Sequence, residues 1–208
     1  MLTLDVALAF FGIAVALALA PGPDNLFVLT QSARSGLRAG LAVIAGLCTG
    51  VLGHTLAVAA GLATLLAASA TAFTVLKVAG AIYLAYLGWQ AWRAPATAPD
   101  GAALPAIAHG ALYRRGVLMS LTNPKVSLFF LAFLPQFASP ERGSVALQIL
   151  QLGGLFILAA ALVFTGIALG AARLGQHLAR SPRLSRGLNR ITGVLFIGLA
   201  LRLVTAQR

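Results

Sequence analysis

The sequence predicts an all-α integral membrane protein with six transmembrane helices, arranged as a 3+3 inverted repeat in the lipid bilayer. Composition is the first reason: 60% of the 208 residues are hydrophobic and 9% are charged, whereas a soluble domain has about 25% charged residues. The second reason is that the apolar residues form long segments. The third is a pair of helix breaks within those segments, at Pro21-Gly22-Pro23 and at Asn123-Pro124. Breaks at corresponding places in two halves indicate a transporter site.

The first apolar segment is too long to cross a membrane as one straight helix. It covers residues 6–20 and resumes at 26–33, so that 28 residues separate Asp5 from Arg34. A continuous helix of that length would extend about 42 Å, against about 30 Å of hydrocarbon. Because proline lacks an amide hydrogen and clashes with the preceding turn, the helix must break at Pro21-Gly22-Pro23. No positive charge precedes the segment, so we interpret it as a retained span and not as a signal peptide.

Five further spans are predicted from the remaining apolar segments. In the second span Gly46, Gly50 and His54 recur every four positions, and small residues at this spacing let two helix backbones approach closely. The sixth span is short and is extended if Arg202 reaches the membrane interface. Spans two to six cover residues 41–66, 69–92, 116–137, 145–172 and 191–201.

We treat residues 1–208 as one transporter domain, with a first repeat at 1–92, a Pro- and Gly-containing connector at 93–115 and a second repeat at 116–208. The loops after spans one, three and five carry ten arginines, against three on the opposite side. The positive-inside rule therefore predicts that both termini lie outside the cytoplasm. With three spans in each half, the halves enter the membrane from opposite sides, as in an inverted repeat.

Several motifs recur along the chain in a specific order. They are Pro21-Gly22-Pro23-Asp24-Asn25, Gly36-Leu37-Arg38-Ala39-Gly40, Gly46 with Gly50, Leu76-Lys77-Val78-Ala79-Gly80, Thr122-Asn123-Pro124-Lys125, Phe133-Leu134-Pro135-Gln136-Phe137 and Leu188-Asn189-Arg190. Together they resemble the LysE/RhtB family of amino-acid exporters, and the resemblance covers nearly the whole chain.

This resemblance implies a bacterial inner-membrane protein that exports amino acids or close relatives and is driven by the proton gradient. With the arginine distribution, the termini are then expected in the periplasm. Homoserine, threonine, leucine and basic amino acids are all compatible substrates. The resemblance also implies a homodimer, although the glycine face of the second span serves packing within one chain equally well.

One position departs from the family pattern. Members often carry an acidic residue shortly after the glycines of the second span, whereas Val51, Leu52 and Gly53 follow Gly50 here. Asp24 is therefore the only acid well inside an apolar segment.

The two breaks supply the candidate site. An ionisable group inside a span costs about 2.5 to 3.5 kcal/mol to insert, so it ordinarily has a partner or a function. Pro23 suits the first position of a half-helix with Asp24 in its first turn, while Asn123 suits an N-cap and Pro124 a first helical position. We predict that the second break, with Lys125, holds a substrate carboxylate, and that Asp24 holds its ammonium group or a transported proton. The candidate binding or coupling residues are Pro21, Gly22, Pro23, Asp24, Asn25, His54, Lys77, Asn123, Pro124 and Lys125.

Simpler structural roles stay open at these positions. Asp24 can form an ion pair with Lys77 or Lys125, and Lys77 lies near enough to the outer end of its span to reach the interface. His54 is either a hydrogen-bonded packing residue or a proton relay, for which a pKa of about 6.5 is suitable.

Other function classes fit the sequence less well. A metal-cation or other small-solute exporter is the first alternative, but one His, one Cys and one acid in the spans make a small ligand set. A membrane enzyme would need a pair of buried carboxylates or a long soluble loop. No nucleotide-binding loop or cofactor motif is present. The net charge of +11 is spread over short loops, which argues against nucleic acid as a partner.

Overall fold

The computed structural model describes residues 2–20, 22–61 and 108–174, with isolated residues between 71 and 93 and between 190 and 201. In this described part every regular element is a helix, in agreement with the all-α prediction. Pro21 and Lys77 lie outside the described residues, as do positions 94–107 of the predicted connector and much of the predicted third and sixth spans.

The first broken span consists of α1, Leu4–Leu19, and α2, Pro23–Ser35, whose axes differ by 63°. Pro23 is the first residue of α2, as predicted, and Asp24 lies in its first turn. Proline suits this position because the amide hydrogen that it lacks would have no partner in the first turn.

Helix α3 covers Leu37–Ala59, with a glycine beyond each end. Gly36 has φ +81° in the turn from α2, and Gly61 has φ +99° just beyond the C-terminus. Side chains other than glycine rarely adopt this backbone conformation. The predicted second span, 41–66, is therefore wrong at both ends: the helix starts directly after Gly36 and ends before Gly61, although apolar residues continue past it.

The second broken span starts with α4, His109–Thr122, inside the stretch predicted as connector. After Asn123 the chain continues as α5, Pro124–Leu128, and the two helical directions differ by 49°. A π-helical turn over Phe129–Phe133 and a 3₁₀ turn over Leu134–Phe137 complete the span, which ends at the predicted residue. The prediction missed the first part of α4 because hydropathy does not register a helical turn with exposed Arg114 and Arg115.

A short 3₁₀ turn, Pro140–Arg142, leads into the long helix α6, Val145–Leu174. Its 30 residues extend about 45 Å, more than the thickness of the hydrocarbon core. The start of α6 is fastened to the preceding loop by buried Gln148, which accepts from Ser139 N at 3.1 Å and donates to Ser139 O at 2.8 Å.

Close contacts show that α3 and α4 run parallel. A Cβ atom built on Gly46 would collide with the backbone of Tyr113, and one on Gly50 would lie 2.5 Å from Cβ of Ser120. Gly116 on α4 is equally tight, because its Cβ would lie 2.5 Å from the carbonyl oxygen of Val43. The predicted small-residue face is thus used for packing within the chain.

Helix α6 runs antiparallel to α3 and in the same direction as the first broken span. Gly153 faces Thr55 near the end of α3, whereas Ala168 faces Gly40 near its start. At the opposite terminus, Leu2 N donates to Gln151 Oε1 at 3.4 Å, so the starts of α1 and α6 lie on one side. Each broken span therefore has a long helix of the other half beside it.

The interior and the outer surface are both apolar. Rings of buried phenylalanines contact one another between the broken spans and α6, with centroids 5.1 to 6.0 Å apart for Phe129 against Phe10, Phe133 and Phe156. Leucines such as Leu8 and Leu162 are 62% and 58% exposed. Exposed apolar side chains all along the helices are typical of a lipid-facing surface.

In the described part, two single helices and two bent pairs are long and apolar enough to cross a membrane. They correspond to the predicted first, second, fourth and fifth spans. The chain is therefore a multi-pass helical protein.

Candidate functional site

The two helix breaks meet inside the protein. Asn123 Nδ2 donates to Asp24 Oδ2 at 2.8 Å, and the two side chains are 6% and 4% exposed. This contact joins positions that are 99 residues apart in the sequence. The two breaks, which are distant in the sequence, are therefore in direct contact in the structure.

Lys125 is buried beside the end of α1. Its Nζ lies 3.5 Å from the carbonyl oxygens of both Leu17 and Ala20, and the residue is 5% exposed. The last carbonyls of a helix have no partner within the helix and attract cations. Both distances exceed the usual 2.7 to 3.2 Å of a protein hydrogen bond, so the ammonium group is held loosely.

Asn25 also bonds the end of α1. Its Nδ2 donates to the carbonyl oxygen of Ala18 at 2.7 Å. The carbonyl groups exposed by the first break are thus bonded by one side chain from that break and one from the other.

Asn123 is the N-cap of α5, as predicted. Its Oδ1 accepts from the backbone N of Lys125 at 3.0 Å, and Pro124 is the first helical residue. This cap already occupies one backbone donor at the start of α5. Lys125 adds a full positive charge at the same break.

Gly22 is required for space more than for backbone conformation. Its φ of −167° is extended and accessible to any residue. A Cβ atom at this position would lie 3.3 Å from Lys125 Nζ, so a larger side chain would press on the ammonium group. Pro21 lies outside the described residues.

A cavity of about 20 Å³ lies where the breaks meet α3, α4 and α6. Among the described residues, three polar side chains line it, those of Asp24, Ser120 and Lys125, and the other described lining residues are apolar. This volume holds about one water molecule, so an amino acid requires the walls to move apart.

Two of these polar groups have a buried atom without a partner in the described structure, Asp24 Oδ1 and Ser120 Oγ. A buried acceptor without a hydrogen bond costs about 1 to 3 kcal/mol, and more when it is charged. Such atoms are uncommon in folded proteins, and beside a cavity they are candidates for binding a ligand.

The ion-pair alternative for Asp24 is partly met. Asp24 and Lys125 attract each other electrostatically, but the hydrogen bonds of Lys125 Nζ in the described structure go to carbonyl oxygens. Lys77, the other predicted partner, lies outside the described residues.

His54 has the contacts of a packing residue. Its Nε2 lies 3.2 Å from the carbonyl oxygen of Ser120, and its ring centroid is 5.8 Å from that of Phe130. It is not among the described residues that line the cavity.

Sequence reasoning missed Ser120 and the apolar wall from α6. A serine three residues before Asn123 has no distinguishing pattern in an apolar helix. Ser120 lies on the face of α4 that meets Gly50. This position could have indicated its role only if α3 and α4 had been known to be neighbours. No group of three His, Cys, Asp or Glu side chains suited to a metal ion occurs in the part of the chain that the structure describes.

Comparison with known proteins agrees with the family resemblance. A family model described as LysE type translocator matches residues 15–207. An uncharacterized membrane protein of Vibrio cholerae is 38% identical over 206 residues, which is 98% of each chain. A homoserine/homoserine lactone efflux protein of Salmonella typhimurium is 37% identical over 191 residues, 92% of each chain. A leucine efflux protein of Salmonella typhimurium is 30% identical over 195 residues, 93% of this chain and 92% of the relative.

No solved structure matches this chain. The family match spans most of the sequence, and the relatives align over nearly their whole lengths. The chain belongs to the LysE type translocator family, whose members are membrane transporters and not enzymes.

Proposed function

We propose that this protein exports amino acids or closely related small zwitterions across the bacterial inner membrane. The observation that carries the proposal is the meeting of a buried acid, Asp24, and a buried cation, Lys125, beside one cavity at two helix breaks. The efflux names of relatives at 30% and 37% identity support the same substrate class.

The two charged groups suit the two ends of a zwitterion. Asp24 Oδ1, which has no partner among the described residues, suits an ammonium group, while Oδ2 stays bonded to Asn123. Lys125 exchanges two long contacts with carbonyl oxygens for a charge-assisted bond to the substrate carboxylate. Both exchanges replace weak or absent bonds by strong ones, which favours binding in a site of low dielectric constant.

Transport requires the small cavity to open to each side in turn. We propose alternating access by relative movement of two inverted repeats around the breaks. If symmetry relates the two repeats, the contact of α3 with α4 has an equivalent in a contact of α6 with the first broken span. Both contacts occur. The bends of 63° and 49° are also of similar size.

We propose proton antiport as the driving force, with Asp24 as the group that binds either the substrate ammonium group or a proton. A carboxylate with one unpartnered oxygen can accept either cation but not both at once, which is the condition for exchange. The proposed orientation places the starts of α3 and α4 in the cytoplasm and both termini in the periplasm. Its support is that these parallel helices carry Arg38 and Arg114 near their starts.

The test is amino-acid efflux from cells preloaded with dipeptides, which cellular peptidases convert to free amino acids. Asp24→Asn keeps the shape of the side chain and removes its charge, so efflux should fall to the empty-vector level at equal membrane expression. Asp5→Asn is the matched control, because this acid is exposed at the start of α1. Full efflux by Asp24→Asn would remove Asp24 from the mechanism, and the absence of efflux by the unmodified protein would refute amino-acid export.

A further inference from the structure

The lining of the cavity contains two charged side chains and a set of apolar ones. The charged side chains are those of Asp24 and Lys125, which the proposed function assigns to the ammonium and carboxylate groups of the substrate. We call the apolar side chains that two long helices contribute the apolar wall. They lie at helical spacing and are buried, with exposures of 2 to 5%: Leu47 and Val51 from α3, and Phe156, Ala160 and Phe164 from α6.

The described lining of this wall contains no charged group. Burying an unpaired charge there would be costly, because neither water nor a countercharge is available. The side chain of a zwitterion bound at Asp24 and Lys125 must therefore be uncharged where it meets this wall.

Ser120 is the single neutral polar side chain among the described lining residues. Helical Ser and Thr hydroxyls commonly bond a carbonyl oxygen one turn back, and several in this chain do so: Thr30 to Leu26, Thr49 to Ala45, Thr55 to Val51, Thr122 to Leu118, and Ser127 to Asn123. Ser120 does not follow them. Its Oγ is buried without a partner in the described structure, and the residue is 1% exposed.

We infer that Ser120 reads the substrate side chain, and that the protein prefers neutral amino acids whose side chain carries a hydroxyl or another hydrogen-bonding atom. This inference rests on the proposed function and adds the substrate class. The apolar wall accommodates the methylene groups, and the Ser120 hydroxyl supplies a bond that an aliphatic side chain leaves unmade. Asp24 and Lys125 hold the common end of every amino acid and contribute no such preference.

Homoserine and norvaline form the sharpest probe pair, because they differ by a hydroxyl against a methyl group of similar size. Purified protein is reconstituted into proteoliposomes that are loaded with equal amounts of homoserine, norvaline and lysine. The amino acids that leave the proteoliposomes are measured by mass spectrometry. The free energy of one neutral hydrogen bond corresponds to a preference of about 3-fold to 10-fold for homoserine over norvaline. We expect homoserine to leave faster than norvaline by about that factor, and lysine to be retained.

Ser120→Ala should bring the homoserine to norvaline ratio to about 1, because homoserine efflux slows more than norvaline efflux. Ser32→Ala is the matched control: its Oγ is also buried in a helix without a partner in the described structure, but Ser32 does not line the cavity. The control should keep the ratio of the unmodified protein.

Several results would overturn the inference while leaving amino-acid export intact. They are a ratio of about 1 or below in the unmodified protein, an unchanged ratio in Ser120→Ala, or lysine efflux as fast as that of homoserine. Release of none of the three amino acids would instead count against the proposed function and the inference together.

A second variant tests the wall independently of Ser120. Ala160 is the smallest of the five wall residues, and Ala160→Val reduces the cavity volume beside α6. Leucine efflux should fall more than homoserine efflux, because the branched side chain needs the added space. An equal reduction of leucine and homoserine efflux would show that the substrate side chain does not bind at this wall.

Discussion

The two helix breaks differ in how they satisfy their own backbone groups. The second break caps itself, since Asn123 accepts from the backbone of Lys125 within the same turn. The first break bonds itself through Asn25 and also depends on the second, because Lys125 reaches the end of α1 and Asn123 bonds Asp24. Residues at the second break therefore act on both breaks, whereas Asp24 and Asn25 act mainly on the first.

This difference separates structure from chemistry at the site. The second break is a self-contained turn that presents two side chains, an amide and an ammonium group, to its neighbour. The first break presents a carboxylate with one oxygen that no described residue bonds. Asn25 bonds the first break from within, whereas the contacts of Asn123 and Lys125 join the two breaks, so these joining contacts are the ones that must change when the site opens.

The largest effect on efflux is expected at Lys125, the charged residue of the second break that also contacts the first. Lys125→Ala should reduce efflux by about 100-fold or more, since it removes the cation and leaves a buried acid unpaired. The measurement is efflux from dipeptide-loaded cells at equal membrane expression. Arg115→Ala, on the exposed face of α4, is the control and should transport normally. Normal efflux by Lys125→Ala would show that the second break supplies no charge to the mechanism.

The next effect concerns how the second break is held in place. Gly46→Ala should destabilise the protein by about 1 to 3 kcal/mol, because the added methyl group meets the α4 backbone at Tyr113 and Gly116, which cannot yield as a flexible side chain would. Thermal unfolding in detergent measures the change.

Gly12→Ala is the comparison variant for that experiment, because nothing lies within 4 Å of a Cβ atom there. It should unfold at the temperature of the unmodified protein. Equal stability of both variants would mean that α3 and α4 are not packed as closely as described.

Asn123 has one role at each break, and two substitutions separate them. Asn123→Ser keeps an N-cap but loses the amide donor to Asp24, whereas Asn123→Ala loses both. We expect the free energy of unfolding of Asn123→Ala to be lower than that of Asn123→Ser by about 1 kcal/mol, the usual contribution of an N-cap. Both variants should lose about 10-fold in efflux, since both leave Asp24 unbonded.

Unfolding and efflux measured on the same preparations distinguish the two roles. Full efflux by Asn123→Ser would show that the bond between the breaks is structural only.

The smallest effect is expected at His54. His54→Gln keeps a nitrogen that can donate to the carbonyl oxygen of Ser120, so efflux should change by less than about 2-fold. The pH dependence of efflux should also stay the same, because a packing residue contributes no transported proton. Loss of efflux at normal expression would instead support a proton relay at this position.

Much of the local structure was predictable from particular residues. Pro23 and Pro124 each begin a helix, and Asn123 caps one, because the missing amide hydrogen and the short side-chain acceptor act within a single turn. Apolar composition alone did not locate helix ends. Gly61 ends α3 before its apolar stretch is finished, and α4 begins at His109 among polar residues.

The sequence by itself determined that this chain is helical, apolar on its surface and broken at two places, since these properties follow from composition and from the chemistry of proline. Only the tertiary structure decided which side chains meet at the breaks. Asp24 and Asn123 are 99 residues apart, and Lys125 reaches a carbonyl group 108 residues away. Such contacts depend on the packing of α3 against α4 and of α6 against the first span. Ser120 acquires its place at the cavity for the same reason, because the other residues that line the cavity come from helices distant in the sequence.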